Sequence, residues 1–307
     1  MGLLSQITRT VAVCTTVAIG FIGTPTRAFT ITQNSDAQKL LTSLLGDITG
    51  LKDFSITLGQ GNDPRAFGLF TDDPFGLASG LVLSTGAVEN LPGENNISNT
   101  ITETNSKADA DLSTDFDPTA DPMVPAGAEG DSITLELKFY AENTADKLFF
   151  QYVFGSEEFP EFGGSDFNDS FALLLNGVNL AKLSDRQSVS INNLVPNPQG
   201  PYHPDYKDNP AGTGTVSQLT KLDGYTKVLS FEGLLKKNDW NTLSINIQDL
   251  GDGHFDSAVF IKGKSFGTAP PSDDTEPKTV PEPSSILGLL GLSALGIASR
   301  HKRHNQP

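Results

Sequence analysis

The side chains best suited to chemistry in this sequence are carboxylates, gathered into three short segments. Glu157, Glu158 and Glu161 place three acids within five residues, and Asp166, Asn168 and Asp169 follow before the chain turns apolar at Ser170-Phe171. A second segment, Asp249-Leu250-Gly251-Asp252-Gly253-His254-Phe255-Asp256, spaces its acids three and four residues apart, with Gly permitting tight turns. Asp109 and Asp111 form a third group. Carboxylates this close repel one another, so a neutralising partner is expected unless all of them are fully solvated. Carboxylate, amide and carbonyl oxygens on Gly-containing loops are the donors that Ca2+ takes in six- to eight-fold coordination. The spacing is not that of an EF-hand. The same acids could instead form a solvated rim that caps strand ends.

Other chemistries find less support. Zinc would have only His203 and His254 outside the basic tail, and Cys14 is the sole thiol. A glycoside hydrolase could pair Glu158 or Glu161 with Asp252, but needs carboxyls about 5–5.5 Å or about 6.5–9.5 Å apart, which spacing along a chain cannot fix. Sugar clefts commonly use aromatic rings. Trp240 is the sole Trp, and Phe159, Phe162, Phe167 and Phe255 lack a hydroxyl to orient a sugar, so packing beside the strand ends is expected. A Ser-His-Asp triad lacks a Gly-x-Ser-x-Gly turn, and Ser156 is followed by Glu157 and Glu158, which disfavour an oxyanion. No Gly-x-x-x-x-Gly-Lys phosphate loop occurs. Pro196–Pro210, with Tyr202 and Tyr206, reads as a surface loop that could meet a glycan or another partner. The expectation is a non-catalytic protein.

The acidic segments need a scaffold, and the hydrophobic pattern indicates a β one. Ile133, Leu135, Leu137 and Phe139 alternate with polar residues, as do Leu243, Ile245 and Ile247. Lys147–Phe154, Ser170–Leu175, Val228–Phe231 and Ala258–Ile261 are further short apolar runs bounded by Gly, Asn or Asp. Many short strands between turn residues predict a mainly β fold, an antiparallel β-sandwich or jelly roll in one domain. One short N-terminal helix is expected, with Ser35 as N-cap, a shared face of Ala37, Leu40, Leu41, Leu44 and Leu45, and Gly46 closing it. Between Ser84 and Asp131 lies a long polar stretch with little periodicity, which reads as a functional or disordered loop.

Charge is distributed unevenly over the 307 residues. Residues 29–280 hold 36 of the 37 acids but only 16 of the 21 Lys and Arg side chains, a net charge of −20. That field repels phosphate backbones and excludes nucleic acid as a partner. Residues 1–28 read as a signal peptide, with Arg9 before an apolar run and cleavage after Ala28. The chain that remains has no Cys, consistent with export without disulfides. Residues 265–279 read as a Pro-rich linker. Val280-Pro281-Glu282-Pro283 then opens an apolar run over 284–299, followed by Arg300, Lys302 and Arg303. Sixteen residues extend roughly 24 Å, short of a ~30 Å hydrocarbon core unless flanking side chains snorkel. The basic cluster marks the cytoplasmic side and leaves the upstream chain outside.

That C-terminal arrangement over 280–307 resembles the PEP-CTERM sorting signal. The resemblance implies transit of the inner membrane of a Gram-negative bacterium, transient anchoring through 284–299, and processing by an exosortase. The block Tyr152-Val153-Phe154-Gly155-Ser156-Glu157-Glu158-Phe159-Pro160-Glu161-Phe162, with Phe167-Asn168-Asp169-Ser170-Phe171, resembles the signature of the choice-of-anchor L family. Leu83-Ser84-Thr85-Gly86 and Asp249 through Phe260 support it. Phe159 stands where Tyr is more usual, and Ala108 where Gly is expected. The resemblance implies an exported surface module over 29–264 and supplies no active site. Residues and resemblance together lead us to expect a calcium-stabilised module at the cell surface or in the extracellular matrix. Its expected role is adhesive or exopolysaccharide-associated; glycoside hydrolysis and a purely structural envelope role are the alternatives.

Overall fold

The computed structural model describes residues 28–97, 112, 114, 116, 129–251 and 255–271. All of the expected signal peptide (1–28) but Ala28, residues 284–299 and Pro281, Glu282, Pro283, Arg300, Lys302 and Arg303 lie outside the described residues. Among the described residues no helix is long and apolar enough to cross a membrane. Ala28 is exposed, and its neighbour Phe29 is buried, its ring centroid 6.0 Å from those of Phe75 and Phe260.

The expected antiparallel sandwich is present. One sheet has eight strands, in the order β1 (Thr30–Gln33), β3 (Phe67–Thr71), β4 (Ser79–Ser84), β14 (Ser257–Lys262), β6 (Lys147–Ser156), β11 (Gly224–Thr226) and β10 (Tyr206–Asp208), with β12 (Leu229–Leu234) also paired to β6. The other has six: β2 (Leu51–Leu58), β5 (Glu129–Ala141), β13 (Asp239–Leu250), β7 (Ser170–Leu175) and β8 (Val178–Asn179), with β9 (Val189–Ser190) paired to β7.

Strands of the two sheets differ in how they are covered. In β7 and β13 buried and half-buried positions alternate, because only one face meets the core. In β6 every residue after Lys147 is buried. Leu148, Phe150, Tyr152 and Phe154 face the main core between the sheets, while Val153 joins a second cluster with Phe29, Phe70, Val82 and Phe260. A strand covered on both faces has no reason to alternate.

The helix α1 (Ala37–Leu44) buries Leu40, Leu41 and Leu44 as expected. Its N-cap is Asp36 rather than Ser35: the Asp36 carboxylate accepts the amides of Gln38 and Lys39 at 3.0 and 3.1 Å. The helix closes at Leu45, one residue before Gly46. Gly46 has a different duty, since a Cβ there would lie 2.0 Å from the Lys264 carbonyl oxygen.

That contact marks a correction to the linker boundary. Phe266 is fully buried, with ring centroids 5.6 Å from Phe139 and 6.3 Å from Phe150, and Gly267 bridges to Phe149. Thr268 donates its amide to the Asp47 carbonyl. The chain therefore stays in the fold beyond 264, and the start of the expected linker belongs to the domain. The polar stretch after Ser84 also begins as ordered structure, with a 3-10 turn at Val88–Asn90 that buries Val88 and Leu91.

Replacing Phe266 with Ala removes a ring from the main core and should destabilise the protein by about 3–5 kcal/mol in urea unfolding. Pro270→Ala, beyond the last core contact, should leave the midpoint unchanged. Equal midpoints for both variants would return residue 266 to the linker.

Candidate functional site

The acidic segments stand at one end of the sandwich, where β6 finishes, β14 and β7 begin and β13 ends. Strand pairing places Ser156 opposite Ser257, and the Glu157 amide then donates to the Asp256 carbonyl at 3.2 Å. Asp169, just before β7, reaches between the sheets. Its carboxylate accepts the Ser257 hydroxyl at 2.6 Å and the Leu250 amide at 2.9 Å. Segments 157–169 and 249–256, far apart in the chain, are thus joined through Asp169, Glu157 and Asp256.

These are not solvated acids. Glu157, Glu158 and Asp169 are 0% exposed, and Asp249 and Asp256 are 1% exposed. Burying a carboxylate requires hydrogen-bond donors, positive charge or a proton. Asp256 shows how donors are supplied: Oδ1 accepts the Thr114 amide at 2.9 Å, and the Asp256 amide donates to the Leu112 carbonyl at 3.2 Å. Gly86 is packed against the same carboxylate, where a Cβ would come 1.7 Å from Oδ2. The end of β4 closes the other side. Ser84 and Thr85 both reach the Ser257 carbonyl, and the Ser257 amide donates to the Thr85 hydroxyl at 2.9 Å.

Other predicted site residues go elsewhere. Asn168 accepts the Asn192 amide at 2.9 Å, stapling its loop to the short helix α2 (Ile191–Leu194). Asp166 is exposed. Glu161 is half-buried, and burial, with the nearby Asp208 carboxylate adding to it, pushes its carboxyl up to about 7. Asp109, Asp111 and Asp252 lie outside the described residues, as does His254. Among the described residues no three His, Cys, Asp or Glu side chains stand close enough to hold one metal ion.

The expected contact loop is partly withdrawn. Tyr206 is buried against Phe159 (ring centroids 4.9 Å apart) and donates its hydroxyl to Asp208 at 3.0 Å, so only Tyr202 of the pair reaches solvent. His203 has a structural task, its Nδ1 accepting the Asp205 amide at 3.1 Å. The Phe residues pack as expected: Phe162 lies 5.5 Å from Phe167 and 5.0 Å from Phe255, while Phe159 sits in the main core.

A neighbouring buried polar group escaped the sequence reading. Asp223, beside the end of β6, donates its amide to the Ser156 carbonyl, and its carboxylate accepts the Asn95 side-chain amide at 2.5 Å. Asn95 also donates to the Asn209 carbonyl at 2.9 Å, and Asn209 donates to the Leu222 carbonyl at 2.6 Å. Asp223-Gly224 and Glu94-Asn95-Asn96 look like ordinary turn residues. Only long-range pairing shows that they are buried.

A family model described as the choice-of-anchor L domain matches residues 30–267, and one described as the PEP-CTERM protein-sorting motif matches residues 279–303. No curated protein and no solved structure matches the chain.

Two measurements check this geometry. Gly86→Ala should force the Asp256 carboxylate aside and cost about 1–3 kcal/mol of stability, as overpacking does. Glu161, with a folded value near 7 against an ordinary 4.5, holds its proton more tightly when folded. Its contribution is therefore fully present below about 4.5 and declines as pH rises through about 7. Urea midpoints of the wild type should fall across that window more steeply than those of Glu161→Gln, and identical slopes would contradict the assignment.

Proposed function

Since the chain belongs to the choice-of-anchor L family, we propose that it acts as a non-catalytic β module of the cell surface or extracellular matrix, held in shape by Ca2+. Its PEP-CTERM protein-sorting motif implies export, sorting to the bacterial cell surface and processing by an exosortase. The proposed role there is adhesion or association with exopolysaccharide.

The observation that carries the calcium reading is the near-complete burial of Glu157, Glu158, Asp169, Asp249 and Asp256 at one end of both sheets. Their oxygens, with the hydroxyl, amide and carbonyl oxygens around them, are the hard donors Ca2+ prefers. Six to eight oxygens of any of these kinds satisfy the ion, so three carboxylates on one ion are not required. A divalent cation would offset part of the carboxylate repulsion, in a chain with a net charge of −16.

The same burial supports a non-catalytic reading. A glycosidase acid must reach the glycosidic oxygen of a solvent-borne sugar, and Glu158 is 0% exposed. Asp169 and Asp256 are already committed to Ser257, Leu250 and Thr114.

Calorimetric titration of the full chain with Ca2+, with melting in Ca2+ and in EGTA, tests the reading. Binding heat and a higher melting temperature in Ca2+ are expected, the gain amounting to about 2.7 kcal/mol at a free concentration one hundred times Kd. Asp256→Asn should shrink both effects. Absence of both in the wild type refutes the calcium role, and polysaccharide turnover lost in Glu158→Gln would refute the non-catalytic one.

A further inference from the structure

The six-stranded sheet turns one face to the core and the other to solvent, and the outer face carries the chain's only Trp. Strand register puts Lys52 of β2, Tyr140 of β5 and Trp240 of β13 side by side. Trp240 is 44% exposed. Its ring meets Tyr140 edge to face, with centroids 5.8 Å apart. The ammonium of Lys138 lies 5.0 Å from the indole centroid, and that of Lys52 lies 5.2 Å from the phenol ring while pairing with Glu142 at 2.7 Å. Further along the same face the outward positions of β13 and β5 are mostly Ser, Thr, Asn and Gln, and the Asn246 amide donates to the Thr134 hydroxyl at 2.8 Å. β13 runs for 12 residues, a strip on the order of 40 Å long.

A cross-strand aromatic pair stabilises a sheet by only about 0.2–1 kcal/mol, which does not require the largest side chain to stay so exposed. The combination of aromatic and polar groups suits a ligand that is itself apolar on one side and hydroxylated at its rim. A pyranose has that form, with C–H bonds on its face and hydroxyls around its edge.

Charge selects among polysaccharides. Lys52 pairs with Glu142, Glu136 lies two residues from Lys138 on the same face of β5, and residues 29–280 carry a net −20. That field repels an anionic polymer and leaves an uncharged one unaffected. We propose that the outer face of the six-stranded sheet, centred on Trp240, binds a neutral polysaccharide. A sugar face lies on the indole with Lys138 at its hydroxyls, and Thr134 and Asn246, six residues further along the strands, meet the hydroxyls of sugars farther down the polymer. This rests on the surface-module reading above and names the face and the ligand class.

Affinity electrophoresis of the full chain in gels containing a soluble β-1,4-glucan, a galactomannan or hyaluronate tests it. Retardation is expected in at least one neutral polymer and not in hyaluronate. Trp240→Ala should weaken it about tenfold with the melting temperature kept, and Lys138→Gln should weaken it less. The Ca2+-induced melting shift should survive in Trp240→Ala, so the glycan and calcium effects are read separately. Retardation unchanged by Trp240→Ala, stronger retardation by hyaluronate, or none by any neutral polymer would overturn the assignment, while surface exposure of the protein in intact cells, read by protease accessibility, independently decides the surface-module reading beneath it.

Discussion

Asp169 accepts the Ser257 hydroxyl at 2.6 Å and the Leu250 amide at 2.9 Å, and much of the acidic end depends on that pair of bonds. One comes from the neighbouring strand of its own sheet and the other from the opposite sheet, so a single carboxylate fixes the separation of the two layers where they would otherwise splay. Charge-assisted bonds to a carboxylate are worth roughly 1.5–3 kcal/mol each, and losing a donor strands a buried acceptor. The ends of β4, β6, β7, β13 and β14 are thereby coupled. Ser257 ties to Thr85, Thr85 adjoins Gly86, and Gly86 leaves room only for the Asp256 carboxylate.

This polar end and the apolar core answer different demands. Strands β4, β6 and β14 at the centre of the eight-stranded sheet are buried on both faces, so they are read by hydrophobicity alone and could slide in register with little apolar cost. Hydrogen-bonded acids cannot slide, because a shift of one residue exchanges each side chain between faces. Clustering Asp169, Asp256 and Glu157 at strand ends therefore pins a register that the Leu, Val and Phe positions leave loosely specified. An exported chain whose body, residues 29–280, holds no Cys has no disulfides for that task.

Legibility from sequence followed the same division. β5 and β13 could be read because one face is wet and one dry, so their patterns alternate, while β7 was legible only as a short apolar run whose burial, not its sequence, alternates. β2 was hidden by its own irregularity: Asp53 adopts a φ of 55° and the register shifts between Lys52 and Ser55, which breaks the alternation. β10 and β11 are three residues each and follow turn-rich segments, so no local signal marks them. The importance of Asp169 and Asp256 was visible as carboxylate spacing, but their burial was not, since burial is set by strands almost ninety residues apart. Asn95 and Asp223 carried no signal at all, because each looks like the turn residue it locally is.

The proposed calcium and polysaccharide roles fall on different parts of the molecule. Glu157, Glu158, Asp169, Asp249 and Asp256 at the acidic end are shut away from solvent, with Asp169 and Asp256 hydrogen-bonded to Leu250, Ser257 and Thr114, so a polymer cannot reach them and the proposed occupant is a small ion. The outer face of the six-stranded sheet has the opposite character, with side chains half-exposed and an indole uncovered. Substitutions there disturb neither the core nor the carboxylate bonds, because outward positions alternate with the buried ones along β5 and β13. A surface module that must keep its shape outside the cell can in this way vary what it touches while the bonds at its closed end stay fixed.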